Sequence, residues 1–435
     1  MYRLVFHSRA AFASLNTISL NMQGTFLEQK TYSRAALPQR LTALFNGDTW
    51  QYLATNSDLC LAEGHIEGRK VLAVATEPAA ALGTFGIGEC VDFRWAVRRA
   101  RATGTPMLLL IDSAGTRLTG GLPVQGAIRA LMREVLDARL AGLPMLAVLG
   151  RYVFGSASML SFSAHARLYS ESTQLAMSGP RVLQAALADG TSRDTVLHRI
   201  NGVSRTAIGN ADTLIADDLG AYAKAVHKWV ANPVGASVTR EALIRERHQL
   251  SQRLRGDARS VINAAEGPEL GGDTLRCVMD RSFGAADALV LAELTESAFA
   301  DGAIKSLTIE MDCPGHSILL QDEESILSQY LVHLALWLRH LVREGVSLRL
   351  RITGTLSGGI YIGLAAAASS TELAPGATIR TLPVSSLVNI LGGETKEIAD
   401  RASYVEWGLV DRILPAGPHQ FPRDPLQHSI KERPA

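Results

Sequence analysis

Residues 105–115 read TPMLLLIDSAG, residues 123–142 PVQGAIRALMREVLDARLAG and residues 143–150 LPMLAVLG. The first and third are unbroken apolar runs of strand length, the pattern of strands covered on both faces. The middle segment reads as a helix that starts near Pro123 and closes on Gly142. Strand, helix and strand joined by short connections predict an α/β fold with parallel strands. Working outward, residues 59–77 alternate around Glu67-Gly68 and read as a β-hairpin. Residues 90–104 read as a helix ended by Gly104. Residues 155–166 read as a short helix, and residues 166–179 as a further pair of strands. Glu28 to Phe45 reads as a short amphipathic helix.

The second half repeats this outline. IKSLTIEMDCPG (304–315) is a buried strand ending in a glycine loop, like MLLLIDSAG. Residues 323–345 read as one helix closed by Gly345. Residues 346–370 read as strand, glycine loop and helix, and residues 371–383 match the 166–179 pair. The chain is thus an internal duplication with a period of roughly 200 residues, too long for a solenoid. The expected boundaries are 28–235 for the first domain and 276–415 for the second. Residues 236–275, rich in Arg and Glu, read as a charged helix and linker. Residues 416–435 form a tail. Residues 1–27 read as a targeting leader or an over-extended start, since their basic residues (Arg3, His7, Arg9) precede any acid and true initiation at Met22 is open to the chain.

Composition narrows the function. At 435 residues, with 47% hydrophobic and 20% charged residues, the chain is no disordered polymer and exceeds one ordinary domain. The 43 basic and 42 acidic side chains leave +1, which argues against nucleic-acid binding by bulk charge. Cys60, Cys90, Cys277 and Cys313 form no CxxC pair, so neither a structural metal site nor a disulfide framework is expected, and a reducing, cytoplasmic setting fits. No apolar run approaches the ~20 residues of a membrane helix. The glycine-rich GTFGIG (83–88) lacks the strand–loop–helix spacing of a dinucleotide loop.

Two glycine loops stand at matched places: Phe154-Gly155-Ser156-Ala157 and Leu356-Ser357-Gly358-Gly359. Each follows a buried strand and opens a helix. Backbone N–H groups there, backed by the helix dipole, can hold an oxyanion. Glycine at such a turn also has a purely steric explanation, and the matched pair is what favours function. Arg94, Arg98, Arg99 and Arg101 sit on or near one helix, suited to a phosphate or an acidic carrier protein and equally to a solvated face. No clear proton donor stands out: Tyr152, Ser178 and His316 lie near the loops, and a structural role accounts for each.

With these pieces in place, the chain resembles the carboxyltransferase branch of the crotonase superfamily, and most nearly biotin-independent malonate decarboxylase with its β and γ subunits fused. The first half carries RAALPQRLTALFNGDTW (34–50), FGIGE (85–89), LLLIDSAGTRL (108–118), VFGSASM (153–159) and LAMSGPRVL (175–183) in that family's order. The second carries IEMDCPG (309–315), EES (323–325), GTLSGGIYIGL (354–364), TLPVSSL (381–387) and WGLVDRIL (407–414). Departures are Ser156 where the family has a second glycine, Ser113-Ala114-Gly115 in an Asp-x-Gly-Gly loop, and the residues around Asp312.

The resemblance implies two crotonase-like domains of repeated ββα units and no bound cofactor. The substrate would be a malonyl thioester on CoA or on the phosphopantetheine arm of an acyl-carrier protein. Loss of CO2 leaves an enolate, held by one hole at Gly155 and Ser156; the second, at Gly358 and Gly359, would receive the leaving carboxylate or a proton source. Gly88, Gly115, Arg117 and Ser178 become substrate-binding positions. In this family the site lies between the first domain of one chain and the second of another, so a homodimer is expected, with activity lost on monomerisation. The alternatives are a biotin-dependent acyl-CoA carboxyltransferase component, whose biotin would come on another protein, and a non-catalytic scaffold subunit.

Overall fold

The computed structural model describes residues 31–416, apart from 48, 188–190, 209–211, 236, 255–267, 301–304, 383–385 and 387–399. The expected leader lies outside the described residues, as does the tail beyond 416. A single 3-10 turn at Tyr32–Arg34 precedes α1 (Leu37–Leu44). That helix is shorter than Glu28–Phe45 because Pro38 sits in its first turn, where a missing N–H costs nothing.

The first half then runs β1 (Gln51–Leu53), β2 (Cys60–Ile66), β3 (Arg69–Ala75), α2 (Ile87–Thr103), β4 (Met107–Ser113), α3 (Gly121–Leu140), β5 (Met145–Phe154) and α4 (Ser156–Phe162). It continues through β6 (Ala166–Tyr169), β7 (Gln174–Ala176), α5 (Pro180–Ala185), α6 (Arg193–Arg199), α7 (Gly202–Ala207), β8 (Thr213–Leu214) and α8 (Leu219–Ala231). The sheet order is β1-β2-β3-β4-β5-β6-β8, with β7 paired to the far end of β5. β1 to β3 are antiparallel, β2 and β3 forming the expected hairpin, and from β3 onward every pairing is parallel. All of β4 is buried. Each of Leu108, Leu109, Leu110 and Ile111 contributes about 1.5–3 kcal/mol by leaving water.

The second half follows α9 (Arg240–Leu254) with β9 (Glu269–Gly271), β10 (Thr274–Val278), α10 (Ala285–Ala300), β11 (Ser306–Asp312), α11 (Leu320–Glu324), α12 (Leu327–Arg343) and β12 (Ser347–Ile352). It ends with β13 (Thr355–Ser357), α13 (Gly358–Ala367), β14 (Ser370–Leu373), β15 (Thr378–Arg380) and β16 (Arg412–Ile413). Its sheet order, β9-β10-β11-β12-β14-β16, repeats β2-β3-β4-β5-β6-β8 of the first half, with no counterpart of β1 among the described residues, and β13–β15 stands where the end of β5 pairs with β7. The duplication read from the sequence is therefore a duplication of topology.

The 236–275 stretch holds the expected charged helix, α9, and that helix is packed down: it buries Leu243, Leu250 and Leu254, and the Leu250 carbonyl accepts the Tyr330 hydroxyl of α12. Gly272, at φ +63°, and Asp273 turn the chain between β9 and β10. The expected single helix over 323–345 is broken at Ile326, which adopts φ +65° and separates α11 from α12. Left-handed backbone is costly for a β-branched residue, and the break leaves Glu323 in α11, apart from α12.

The halves interlock through α3. Arg129 donates to the carbonyls of Ala365 and Gly408 and pairs with Asp411 at 2.7 Å. Arg133 donates to the carbonyls closing α13, and Arg339 pairs with Asp137 at 2.8 Å. At Gly126 a Cβ would stand 1.8 Å from the Trp407 carbonyl oxygen. Gly126→Ala is expected to lower stability by about 1–3 kcal/mol through overpacking; an unchanged urea midpoint would show that the halves do not meet there.

Candidate active site

The two glycine turns are built alike. Gly155 has φ +58° and Gly358 φ +65°, each at the junction of a strand and a helix. A side chain is disfavoured at such φ values, which is why the turn needs glycine. Each turn is braced by an aspartate one strand over: Asp112 Oδ1 accepts the Tyr152 N–H, and Asp312 Oδ1 accepts the Thr355 N–H. The facing loops match too. Phe85 bridges Thr116 as Phe283 bridges His316, so Thr116 and His316 occupy equivalent rungs.

Both turns line one cavity of about 760 Å3, together with Thr116, Tyr152, Met159, Met177, Ser178 and His316. The chain's own two halves supply both loops. A second copy is thus not needed to bring these two loops together. Met177 lies between the turns. Its backbone carbonyl accepts the Gly155 N–H, and its side chain fills the space beside Gly359 that a Cβ would need.

The backbone donors correct the assignment at both loops. The Gly155 N–H is turned inward to the Met177 carbonyl at 3.1 Å and is not offered to a ligand. The Ser156 N–H, in the first turn of α4, has no acceptor among the described residues, as expected at a helix start. In the second half the equivalent N–H, that of Gly359, donates to His316 Nδ1 at 3.1 Å. One turn leaves its N–H free and the other has it capped by an imidazole.

Acceptance at Nδ1 assigns the His316 ring proton to Nε2, which has no partner among the described residues. Burial lowers the His316 pKa to about 4, so the ring is neutral at neutral pH. Glu323 is also fully buried. Its carboxylate accepts the N–H groups of Met177 at 2.9 Å and Ser178 at 2.6 Å, and burial pushes it up to about 7. The sequence marked His316 only by its nearness to the loop and Glu323 only within the EES stretch; neither the Nδ1 contact with Gly359 nor the hold on the 177–178 backbone was legible, and the repeat alignment of Thr116 with His316 is the one further signal.

The remaining expected residues divide. Ser178 lines the cavity, with its N–H committed to Glu323. Arg117 lines it as well, but its guanidinium is held by Glu89 at 3.0 Å and by Thr84, so it is an anchored ion pair and not a free cation. Gly115 is a packing position: a Cβ there would meet the Phe154 carbonyl oxygen at 2.6 Å, and its N–H is taken by Ser113 Oγ. Gly88 lies in the first turn of α2 against Ser57, not among the cavity-lining residues. Of the arginine group, Arg98 and Arg101 pair with Glu134 and Arg99 with Glu63. The four cysteines are unpaired thiols. Among the described residues no cluster of three His, Cys, Asp or Glu is placed to hold a metal, and no helix is long and apolar enough to cross a membrane.

The buried rings set a pH dependence of stability. His165, whose Nδ1 accepts the Met145 N–H, is lowered by burial to about 3. A histidine depressed in the folded state contributes stability above its unfolded pKa near 6.5 and loses it as pH falls. Glu323, raised above its unfolded 4.5, acts oppositely and gains stability as pH falls from 7 to 4.5. Two rings against one carboxyl leave a net loss on acidification of about 1.4 kcal/mol per pH unit between 6.5 and 4.5. Thermal melts should fall through that window and more steeply just below pH 4.5; a melting temperature flat from pH 7 to 4 would contradict it.

No protein-family model matches the chain, and no curated protein matches it. Among solved structures, a Pseudomonas malonate decarboxylase MdcD-MdcE hetero-dimer aligns at 22% identity and TM-score 0.45, over 54% of this chain and 100% of that one. A Pseudomonas malonate decarboxylase hetero-tetramer in complex with malonate aligns at 21% and 0.46, over 56% and 95%. The transcarboxylase 12S hexamer with hydrolysed methylmalonyl-coenzyme A bound aligns at 15% and 0.41, over 88% and 86%. Likeness at this level assigns no activity to this chain.

Proposed function

We propose that the chain decarboxylates a malonyl thioester, carried on CoA or on a carrier-protein arm, to the acetyl thioester, as a member of the crotonase-type carboxyltransferases that its motifs resemble. The observation that carries this reading is the pairing, in one cavity, of a free helix-start N–H (Ser156) with a neutral histidine whose Nε2–H is unpartnered. Cleavage of the bond between the methylene and the carboxylate releases CO2 and leaves its electron pair as an enolate on the thioester oxygen. The Ser156 N–H, at the positive end of α4, stabilises that oxygen as charge grows on it. His316 donates a second hydrogen bond from Nε2, as a neutral imidazole can where burial strips the hydration an imidazolium would need. The methylene carbon then takes a proton from water. His316 is not that acid: giving up its ring proton would leave an imidazolate, far too basic for transfer at neutral pH.

The occupied Gly359 N–H weighs against the carboxyltransferase alternative, which would use both holes. The test is intact-mass detection of acetyl product from malonyl-CoA and, separately, malonyl-carrier protein, with no biotin or ATP. Product supports the reading and its preferred carrier identifies the substrate. Absence of product from both returns the choice to a biotin-dependent component or a scaffold.

A further inference from the structure

The first hole belongs to the first half, yet what holds it comes from the second. α11 ends at Glu324, and the left-handed Ile326 then breaks the chain before α12. The strained turn is tied by the Ile326 N–H to the Glu323 carbonyl at 2.8 Å, and the same carbonyl accepts from Arg205 of α7 at 2.6 Å. Arg205 is itself fully buried and donates through Nε to the Leu175 carbonyl of β7. So fixed, the Glu323 carboxylate receives two consecutive N–H groups, those of Met177 and Ser178. The next contact in the series is Met177 C=O with the Gly155 N–H.

We propose that Glu323 is the positioning residue of the open hole: its carboxylate fixes the 177–178 backbone, which holds the Gly155 peptide inward and so leaves the Ser156 N–H to the substrate. This deepens the decarboxylase reading and rests on it for its kinetic consequence. Glu323 does not touch the reacting atoms. Its influence runs through two hydrogen-bonded peptides, and displacement of a catalytic group by even 1 Å can cost about 100-fold in rate. Strain kept at one point of a fold is expected where geometry is being enforced, and Ile326 is such a point.

The charge around the carboxylate makes the hold sensitive to pH. Among the described residues, Arg205 favours its ionised form and Asp322 of its own helix opposes it, while Arg199 of α6 is taken up by Glu324. Burial outweighs Arg205 and the two N–H donors and raises the carboxyl to about 7. Below that pH an O–H stands opposite an N–H, and one of the two contacts is lost.

The experiment compares wild type with Glu323→Gln. The amide keeps one acceptor and sets an NH2 against the other N–H at every pH. Expected are a kcat about 10- to 100-fold lower, KM within about twofold, and loss of the wild-type fall in kcat below pH 7. Wild-type kcat with the same acid limb in the variant overturns the proposal. Should the variant fail to fold, hydrogen exchange of the Met177 and Ser178 amides in the wild-type chain reads the hold directly. Their protection, corrected for intrinsic rates, should drop from pH 8 to 6 more than that of β7; equal behaviour overturns the proposal. That measurement needs no substrate. A wild type inert toward every malonyl thioester would therefore remove the decarboxylase reading while the exchange result still decides whether Glu323 holds the turn.

Discussion

Replacing Ser156 with proline should lower kcat about 10²- to 10³-fold while the protein stays folded, because it deletes the backbone donor, along with a hydroxyl whose share a second variant isolates. Ser156 is the first residue of α4, the helix position where proline is best tolerated. The residue before it is glycine at φ +58° and ψ −127°, the mirror image of the extended conformation that proline asks of its neighbour. The hydroxyl, within 3.1 Å of Thr116 Oγ1, is tested separately. Ser156→Ala keeps the N–H and should retain kcat within a few-fold. The two variants are to be compared by steady-state kinetics on the carrier that the wild type prefers. Equal losses in both would shift the role to the hydroxyl; no loss in the proline variant would remove the hole from the mechanism.

His316→Asn is the second large effect. Asparagine can place its side-chain oxygen where Nδ1 lies and so keep the acceptor for the Gly359 N–H, but it has nothing at the position of Nε2. Loss of the second donor should cost about 10²-fold in kcat. His316→Ala removes the acceptor as well and leaves a buried N–H unpaired, so it should cost about 1–3 kcal/mol of stability beyond the asparagine variant. Because the ring is neutral at every pH above about 4, the wild-type rate should show no titration near 6.5 that His316→Asn abolishes. Denaturation curves and pH–rate profiles of the three proteins check both statements. An asparagine variant with wild-type turnover would make His316 a plug for the second turn and no more.

Much of the fold was legible because its signals are local. β4 and β5 are apolar runs bounded by Pro and Gly, and the closing glycines at 104, 142 and 345 mark the helix ends that the structure shows or nearly shows. The repeat was legible because the same order of runs occurs twice. The break at Ile326 was not, since an isoleucine in a helical pattern gives no sign of left-handed backbone; tertiary contacts from Arg205 and the 177–178 peptides enforce it. At the site, the glycine turns were found from their spacing. Which peptide N–H faces inward and which faces the cavity depends on the orientation of single peptide planes, as at Gly155 and Ser156, and residue type does not encode that. The exclusion of Gly88 and the anchoring of Arg117 follow the same rule: proximity in sequence to a loop does not decide which side of it a group occupies.

One polypeptide provides both walls of the cavity. A site assembled from separate subunits is subject to mass action: dilute it far enough and the walls part. Here the second wall is tethered to the first, at an effective concentration set by the chain and not by the cell. The two walls are also synthesised in strict one-to-one ratio, so neither can accumulate without the other. The two loops therefore stay within reach of each other at any dilution at which the chain stays folded.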